Sequence, residues 1–279
     1  MWGRFLVICL LAEWFAVLSP ASCCALMRHF SHAGFTIGYR VQGEGEPLVL
    51  LHGNTGAGRM LAAEVEYYSR FFQVIAVDLT GHGSSSRLDE LPHDFWRVNA
   101  NLSLALCAHL NLEPVHAVGT SGGAIVALNM ALAARDMVRG VVADSCLGSL
   151  IRLPEAEAIA LERKKSKMGP GREFWMAMHG ADWESVVDAD TRMLLRFARS
   201  GGLFFPDKLS GVRCPVLLTA SLKDELIHDA REVLRSLALQ IPEAETELFE
   251  SGGHPAMLSN AERFRSRAMR FLQRRNEPE

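Results

Sequence analysis

Val115-His116-Ala117-Val118-Gly119-Thr120-Ser121-Gly122-Gly123-Ala124-Ile125-Val126-Ala127-Leu128 is the stretch on which the reading of this chain turns. It opens as a short apolar run with β-branched residues, as a buried strand does, and leaves with the composition of a buried helix. A strand turning straight into a helix leaves little room at the bend. Gly119 and Gly123 relieve crowding on either side because neither carries a Cβ. Ser121 is then expected above the sheet with its hydroxyl exposed. It heads a helix whose free N–H groups and dipole favour an incoming negative charge. The spacing is that of the Gly-x-Ser-x-Gly nucleophile elbow. A tight turn with an inert serine fits the same five residues, so the surrounding chain has to decide.

Upstream, strands are predicted over residues 35–41, 48–51 and 72–78, with helices over 60–68 and 94–110. Downstream, a helix over 122–134 leads to a strand over 138–144. From 146 to 207 no apolar run reads as a central strand. Helical segments fill that interval instead: 155–168, a break at Gly169-Pro170-Gly171, then 174–179 and 182–198. The alternation resumes with a strand over 216–220, a helix over 230–239, a strand over 246–249 and a closing helix over 257–273. The fold class is therefore α/β, a mostly parallel central sheet with helices on both faces and a helical cap inserted between two late strands. Residues 27–145 and 208–275 form the core and 146–207 the cap.

The 279 residues are 49% hydrophobic with a formal net charge of -3, enough for a substantial core and too acidic for a phosphate-binding surface. Arginines crowd the closing helix, but Phe264, Ala268, Phe271 and Leu272 give it an apolar face, so its basic side reads as solvated. Residues 1–26 carry two readings. Arg4, an apolar run over 5–18 and small residues over 20–25 have the layout of a signal or anchor segment; alternatively, translation starts at Met27 and the protein is cytoplasmic. Cys107, Cys146 and Cys214 sit singly in apparent core elements, without disulfide or metal-ligand spacing.

A serine hydroxyl needs a base to take its proton and an acid to orient that base, and in elbow proteins the order is Ser, acid, His. Asp224 follows the strand over 216–220 and His254 follows the strand over 246–249 on Gly252-Gly253. Carboxyl ends of parallel strands share one side of a sheet, so Ser121, Asp224 and His254 can converge. Glu225, adjacent to Asp224, and Asp144, at the end of the strand after the elbow, compete for the acid's place. Two main-chain donors are needed for an oxyanion: the N–H of Gly122 and, from the loop His52-Gly53-Asn54, that of Asn54. His52 is read as a brace for that loop.

From about residue 35 to 273 the chain resembles the α/β-hydrolase fold superfamily. The resemblance rests on Leu-Leu-His-Gly at 50–53, Asp-Leu-Thr-Gly-His-Gly-Ser-Ser at 78–85, Gly-Thr-Ser-Gly-Gly at 119–123, Asp224, and Gly-Gly-His at 252–254. It implies structural roles for Asp78, His82 and Ser85. Ser221 stands where the family often has glycine before the acid. Serine at the elbow disfavours the dehalogenase and epoxide hydrolase branches, which use aspartate. The implied activity is acyl-enzyme hydrolysis of a small, largely apolar carboxylic ester or thioester. A C–C bond hydrolase of the same superfamily, and a non-catalytic ligand-binding member, remain as alternatives. Phe174, Trp175, Met176, Met178, Trp183, Leu203, Phe204 and Phe205 make the cap apolar. Trp175, Trp183 and Phe204 are the candidates for a substrate pocket, and each equally fits packing of the cap onto the core. No cofactor, metal or nucleic acid is expected. Membrane contact is expected only if the N-terminal segment is retained.

Overall fold

The computed structural model describes residues 26–112 and 114–273, so both readings of the N-terminal segment lie outside the described residues. Strands β1 (Arg28–His32), β2 (Phe35–Gln42), β3 (Pro47–Leu51), β4 (Gln73–Val77), β5 (Val115–Thr120), β6 (Val138–Asp144), β7 (Val216–Ser221) and β8 (Ala244–Phe249) form one sheet. Its order is β1-β2-β4-β3-β5-β6-β7-β8. The β1–β2 and β2–β4 pairs are antiparallel and the others are parallel.

Side-chain alternation explains why β3 and β5 are central. Val49 and Leu51 enter one apolar layer, while Leu48 and Leu50 enter the other. Both faces of the sheet are covered, so these strands are apolar throughout. Helices α2 (Phe95–His109) and α3 (Gly122–Ala133) pack into the first layer; α1 (Ala62–Tyr68) and α9 (Ala261–Gln273) close the second. Burying each large apolar side chain contributes roughly 1.5–3 kcal/mol, and these layers hold the sheet rigid beneath its loops.

Several elements differ from the sequence reading. β1 was not predicted, because four of its five residues are exposed and its composition, Arg-His-Phe-Ser-His, gives no apolar alternation. It pairs with β2 through a two-residue turn, Ala33 and Gly34, both with positive φ (49° and 83°), the backbone that a tight hairpin requires. The break predicted at Gly169-Pro170-Gly171 falls slightly earlier, over residues 167–169, because Pro170 already sits in the first turn of the next helix, where its missing N–H goes unneeded. The closing helix is split by Asn260 into α8 (Ala256–Ser259) and α9.

Between β6 and β7 lie α4 (Leu153–Ser166), α5 (Pro170–His179) and α6 (Trp183–Arg199); α7 (Ala230–Ala238) follows β7. The three inserted helices are fastened to the loops that leave β3 and β4. His179 donates from Nε2 to the Thr55 carbonyl (2.9 Å) and accepts at Nδ1 from the Gly83 amide (3.1 Å). Arg87 pairs with Asp182 (2.7 Å) and donates to the His179 carbonyl (3.1 Å). Burial and the neighbouring His82 push the His179 imidazole down to about 3, so it is neutral in this clasp. The insertion therefore sits over the carboxyl edge of the sheet, where the candidate chemical groups are.

Candidate active site

Ser121 lies between β5 and α3 with φ 55° and ψ −120°, a left-handed backbone that side chains other than glycine rarely adopt. Such strain costs about 1–3 kcal/mol and persists only where the surroundings over-determine it. Here they do. A Cβ on Gly119 would stand 2.1 Å from the Gly123 carbonyl oxygen, and one on Gly123 would stand 2.2 Å from that of Leu51. Only glycine permits so close a strand-to-helix approach. The Ser121 amide donates to the Asp144 carbonyl at 2.8 Å and fixes the bend to β6.

Asp224 is buried just beyond β7. Its Oδ1 accepts the amides of Leu226 (3.0 Å) and Ile227 (3.1 Å), which orient the carboxylate. The two oxygens then face Nδ1 of His254, Oδ2 at 2.8 Å and Oδ1 at 3.1 Å. A carboxylate on Nδ1 holds the proton there and leaves Nε2 as the basic lone pair. Burial alone would lower the His254 pKa, but the Asp224 carboxylate outweighs it and the pKa is raised above its ordinary value. Glu225, the rival acid, accepts the backbone N–H of His254 at 3.1 Å, so it braces the loop and leaves the ring to Asp224.

Asp144 is fully buried and committed elsewhere. Its oxygens accept from Thr219 Oγ1 (2.6 Å), Thr120 Oγ1 (2.8 Å) and the Met257 amide (2.9 Å). Burial pushes its carboxyl up to about 6 despite these bonds. Through Met257, and through Ser145 Oγ, which accepts the Ala256 amide at 2.9 Å, the end of β6 holds the loop of His254 beside the elbow. Among the described residues the Ser121 hydroxyl makes no hydrogen bond, to His254 or to any other group.

The loop after β3 approaches the elbow from the other side. A Cβ on Gly53 would lie 3.0 Å from Ser121 Cβ, and one on Gly122 would lie 3.1 Å from the Asn54 nitrogen. The backbones of Asn54 and Gly122 thus meet beside Ser121. Among the described residues, neither N–H donates a hydrogen bond. His52 donates from Nδ1 to the Gly53 carbonyl (2.8 Å) and accepts at Nε2 from the Leu79 amide (2.9 Å). Burial, with His82, pushes it down to about 4, as suits a neutral brace. Among the described residues, Asp78 and Ser85 bond only to backbone and to Ser84, joining the β4 loop to Gly58 and β2.

The cap aromatics divide into two groups. Phe204 stacks on Phe197 (5.4 Å between centroids), and both meet Trp96 edge-on at 4.8 Å. The indole N–H of Trp96 donates to Asn54 Oδ1 at 3.1 Å, so this cluster adjoins the site. Trp175 and Trp183 stack on each other at 5.8 Å and form a separate cluster with Val187 and Phe174.

The sequence reading passed over Trp96, Phe197 and Asp190. Asp190, on α6, is fully buried and takes the Asn54 side-chain amide at 2.7 Å and Arg163 at 2.8 Å. A signal for it was present: Trp183, Val187, Met193, Leu194 and Phe197 form the apolar stripe of α6, and Asp190 falls within that stripe. Burial works against its ionisation, but Arg163 holds its carboxyl well below the usual range. Among the described residues, no group of three or more His, Cys, Asp and Glu side chains is arranged to hold a metal ion. No described helix is long and apolar enough to cross a membrane.

Residues 48–267 match the alpha/beta hydrolase family. The chain is 24% identical over 262 residues to the (E)-2-((N-methylformamido)methylene)succinate hydrolase of Acinetobacter baylyi, an alignment covering 85% of this chain and 94% of the relative. It is 27% identical over 246 residues to a putative carbamate hydrolase of Pseudomonas syringae, covering 81% and 93%. Among solved structures, an esterase from Exiguobacterium antarcticum is similar with a TM-score of 0.73 and 17% identity, covering 89% of this chain and all of that one, 100%.

Proposed function

The chain belongs to the alpha/beta hydrolase family of enzymes, and from that premise we propose that it is a serine hydrolase using Ser121, His254 and Asp224. In this reading Ser121 Oγ attacks a carbonyl carbon while His254 Nε2 takes its proton. The N–H groups of Asn54 and Gly122 receive the oxyanion. The imidazolium, steadied by Asp224, then protonates the leaving group, and the same nitrogen activates the water that frees the acid. The observation that carries the proposal is the two-oxygen clasp of Asp224 on His254 Nδ1, because it prepares Nε2 as a base. A nucleophile–base hydrogen bond absent in an empty site often forms only in the substrate complex.

The substrate is a small molecule, and the reading favoured here is a largely apolar ester or thioester. The inserted helices act as a cap over the site. Phe204, with Phe197 and Trp96, supplies the apolar wall nearest Asn54, whereas Trp175 and Trp183 serve the cap's own packing. Likeness to a putative carbamate hydrolase supports a second reading, a carbamate carbonyl handled by the same groups. The test is a panel of p-nitrophenyl esters of increasing acyl length and a matching carbamate, with a fluorophosphonate probe alongside. Wild type should be labelled and should turn over part of the panel; Ser121→Ala should do neither. Undiminished turnover by Ser121→Ala would overturn the mechanism.

A further inference from the structure

We propose that Asp190, reaching in from α6, is a positioning residue for the oxyanion loop; the proposal rests on the assignment of the Asn54 N–H as an oxyanion donor. The Asn54 side chain is held at both ends. Its Oδ1 accepts from Trp96 Nε1 at 3.1 Å and its Nδ2 donates to Asp190 Oδ2 at 2.7 Å. Between those ends it packs against the Cα of Gly122, where a Cβ would stand 2.0 Å from Asn54 Oδ1. Fixing this one side chain therefore fixes the N–H of Asn54 relative to that of Gly122.

Stability does not account for the carboxylate. A charge buried in an apolar stripe is costly to desolvate, and well-packed hydrophobic replacements of buried ion pairs are often neutral or stabilising. Nor can the Asp190 carboxylate touch substrate, being fully buried. What it supplies is an acceptor aimed at Asn54. Its charge would by itself oppose an oxyanion forming nearby, and Arg163 on α4, 2.8 Å from Oδ1, offsets that field. His82 Nε2 also lies 3.1 Å from Oδ2 and closes the remaining side. Asn54 is thus oriented by the cap, and seating of the cap and completion of the donor pair become one event.

The experiment measures kcat and KM on p-nitrophenyl butyrate and the rate of fluorophosphonate labelling. It compares wild type, Asp190→Asn, Asp190→Ala, Asn54→Ala and the double alanine variant. Asp190→Ala should lower kcat and labelling about tenfold with KM little changed, short of the roughly 100-fold or greater loss seen when an oxyanion donor is removed outright. Asp190→Asn, whose amide carbonyl can still accept from Asn54, should recover most of the rate. The double variant should be no worse than Asn54→Ala, since both act through one side chain. Unchanged kcat in Asp190→Ala, or losses that multiply in the double variant, would overturn the proposal. If Asp190→Ala does not fold, Asn54→Ala carries the test, and unchanged kcat there is equally fatal. Failure of wild type to be labelled at all would instead strike the serine mechanism itself.

Discussion

Asp144 holds Ser121 through its backbone and not through its side chain: the Ser121 amide donates to the Asp144 carbonyl at 2.8 Å, while the carboxylate turns to Thr120, Thr219 and Met257. Among the described residues a carboxylate so engaged makes no hydrogen bond to His254, which favours Asp224 as the acid of the proposed triad. Asp224→Asn should lower kcat by roughly four orders of magnitude, because the amide favours the wrong imidazole tautomer. Asp144→Ala should instead lose about 1–3 kcal/mol of stability, by stranding the buried hydroxyls and amide it satisfies. Equal kinetic losses in Asp224→Asn and Asp144→Asn, measured at matched folded fractions, would refute this division.

The pH profile follows from the same clasp. His254 must be neutral to act as base, and Asp224 raises its pKa, so the acidic limb of kcat/KM should have its midpoint above 6.5. In Asp224→Asn the residual activity should show that midpoint moved downward. A rate flat from about pH 5 to 9 would contradict the role of His254.

Stability should respond to acid independently of catalysis. His52 and His116 are pushed by burial to about 4 and His179 to about 3, all below the ordinary 6.5. Between those values the unfolded chain binds more protons, so the stability these groups contribute is complete above 6.5 and is lost as pH falls toward 4 and below. His254, raised, contributes below 6.5 and loses that contribution as pH rises; Asp144, raised to about 6, likewise favours the folded state on the acid side. Three depressed imidazoles outweigh these two. Urea midpoints should therefore fall between pH 7 and 5, and a midpoint that rises instead would reverse the assignment.

Two glycines separate crowding from backbone strain. Gly123→Ala would set a Cβ 2.2 Å from the Leu51 carbonyl oxygen, a backbone atom that cannot step aside. Its cost should reach or exceed the upper end of the about 1–3 kcal/mol typical of overpacking. Gly180→Ala, at φ 85° and ψ −151° with nothing within 4 Å, should cost the roughly 1–3 kcal/mol of backbone strain alone. Equal shifts in melting temperature would sink the distinction.

Glu225 gives the mildest effect. It is exposed and among the described residues bonds only the backbone of His254, so Glu225→Ala should reduce kcat/KM about two- to tenfold, the worth of one such hydrogen bond. Glu225→Gln keeps the acceptor and should behave like wild type. A thousandfold loss would mean that Glu225, not Asp224, orients the imidazole.

The strand-to-helix turn at Ser121 and the loops carrying Asp224 and His254 were legible because local composition marks each one: glycines at the bend, apolar runs before it, polar residues after. Partners fixed by distant contacts were not. Asp188 and Asp190 are two residues apart on one helix, yet Asp188 keeps half its side chain exposed and pairs with Lys167, while Asp190 is buried against Asn54. Only its position in the apolar stripe set it apart. Trp175 and Trp183 pack on each other with Val187, and composition alone does not distinguish such packing from a pocket wall. β1 escaped notice because its order comes from a neighbour and not from its own side chains.

The tie from α6 to the β3 loop constrains how this scaffold can be rebuilt. Because the inserted helices occupy one contiguous interval between β6 and β7, a chimera carrying a foreign segment there would leave the strand register intact. Such a graft would import a new binding chamber but would also remove the acceptor for Asn54. Transplants that supply a buried oxygen at the position of Asp190 should keep turnover, and those that do not should bind their new ligand and process it slowly.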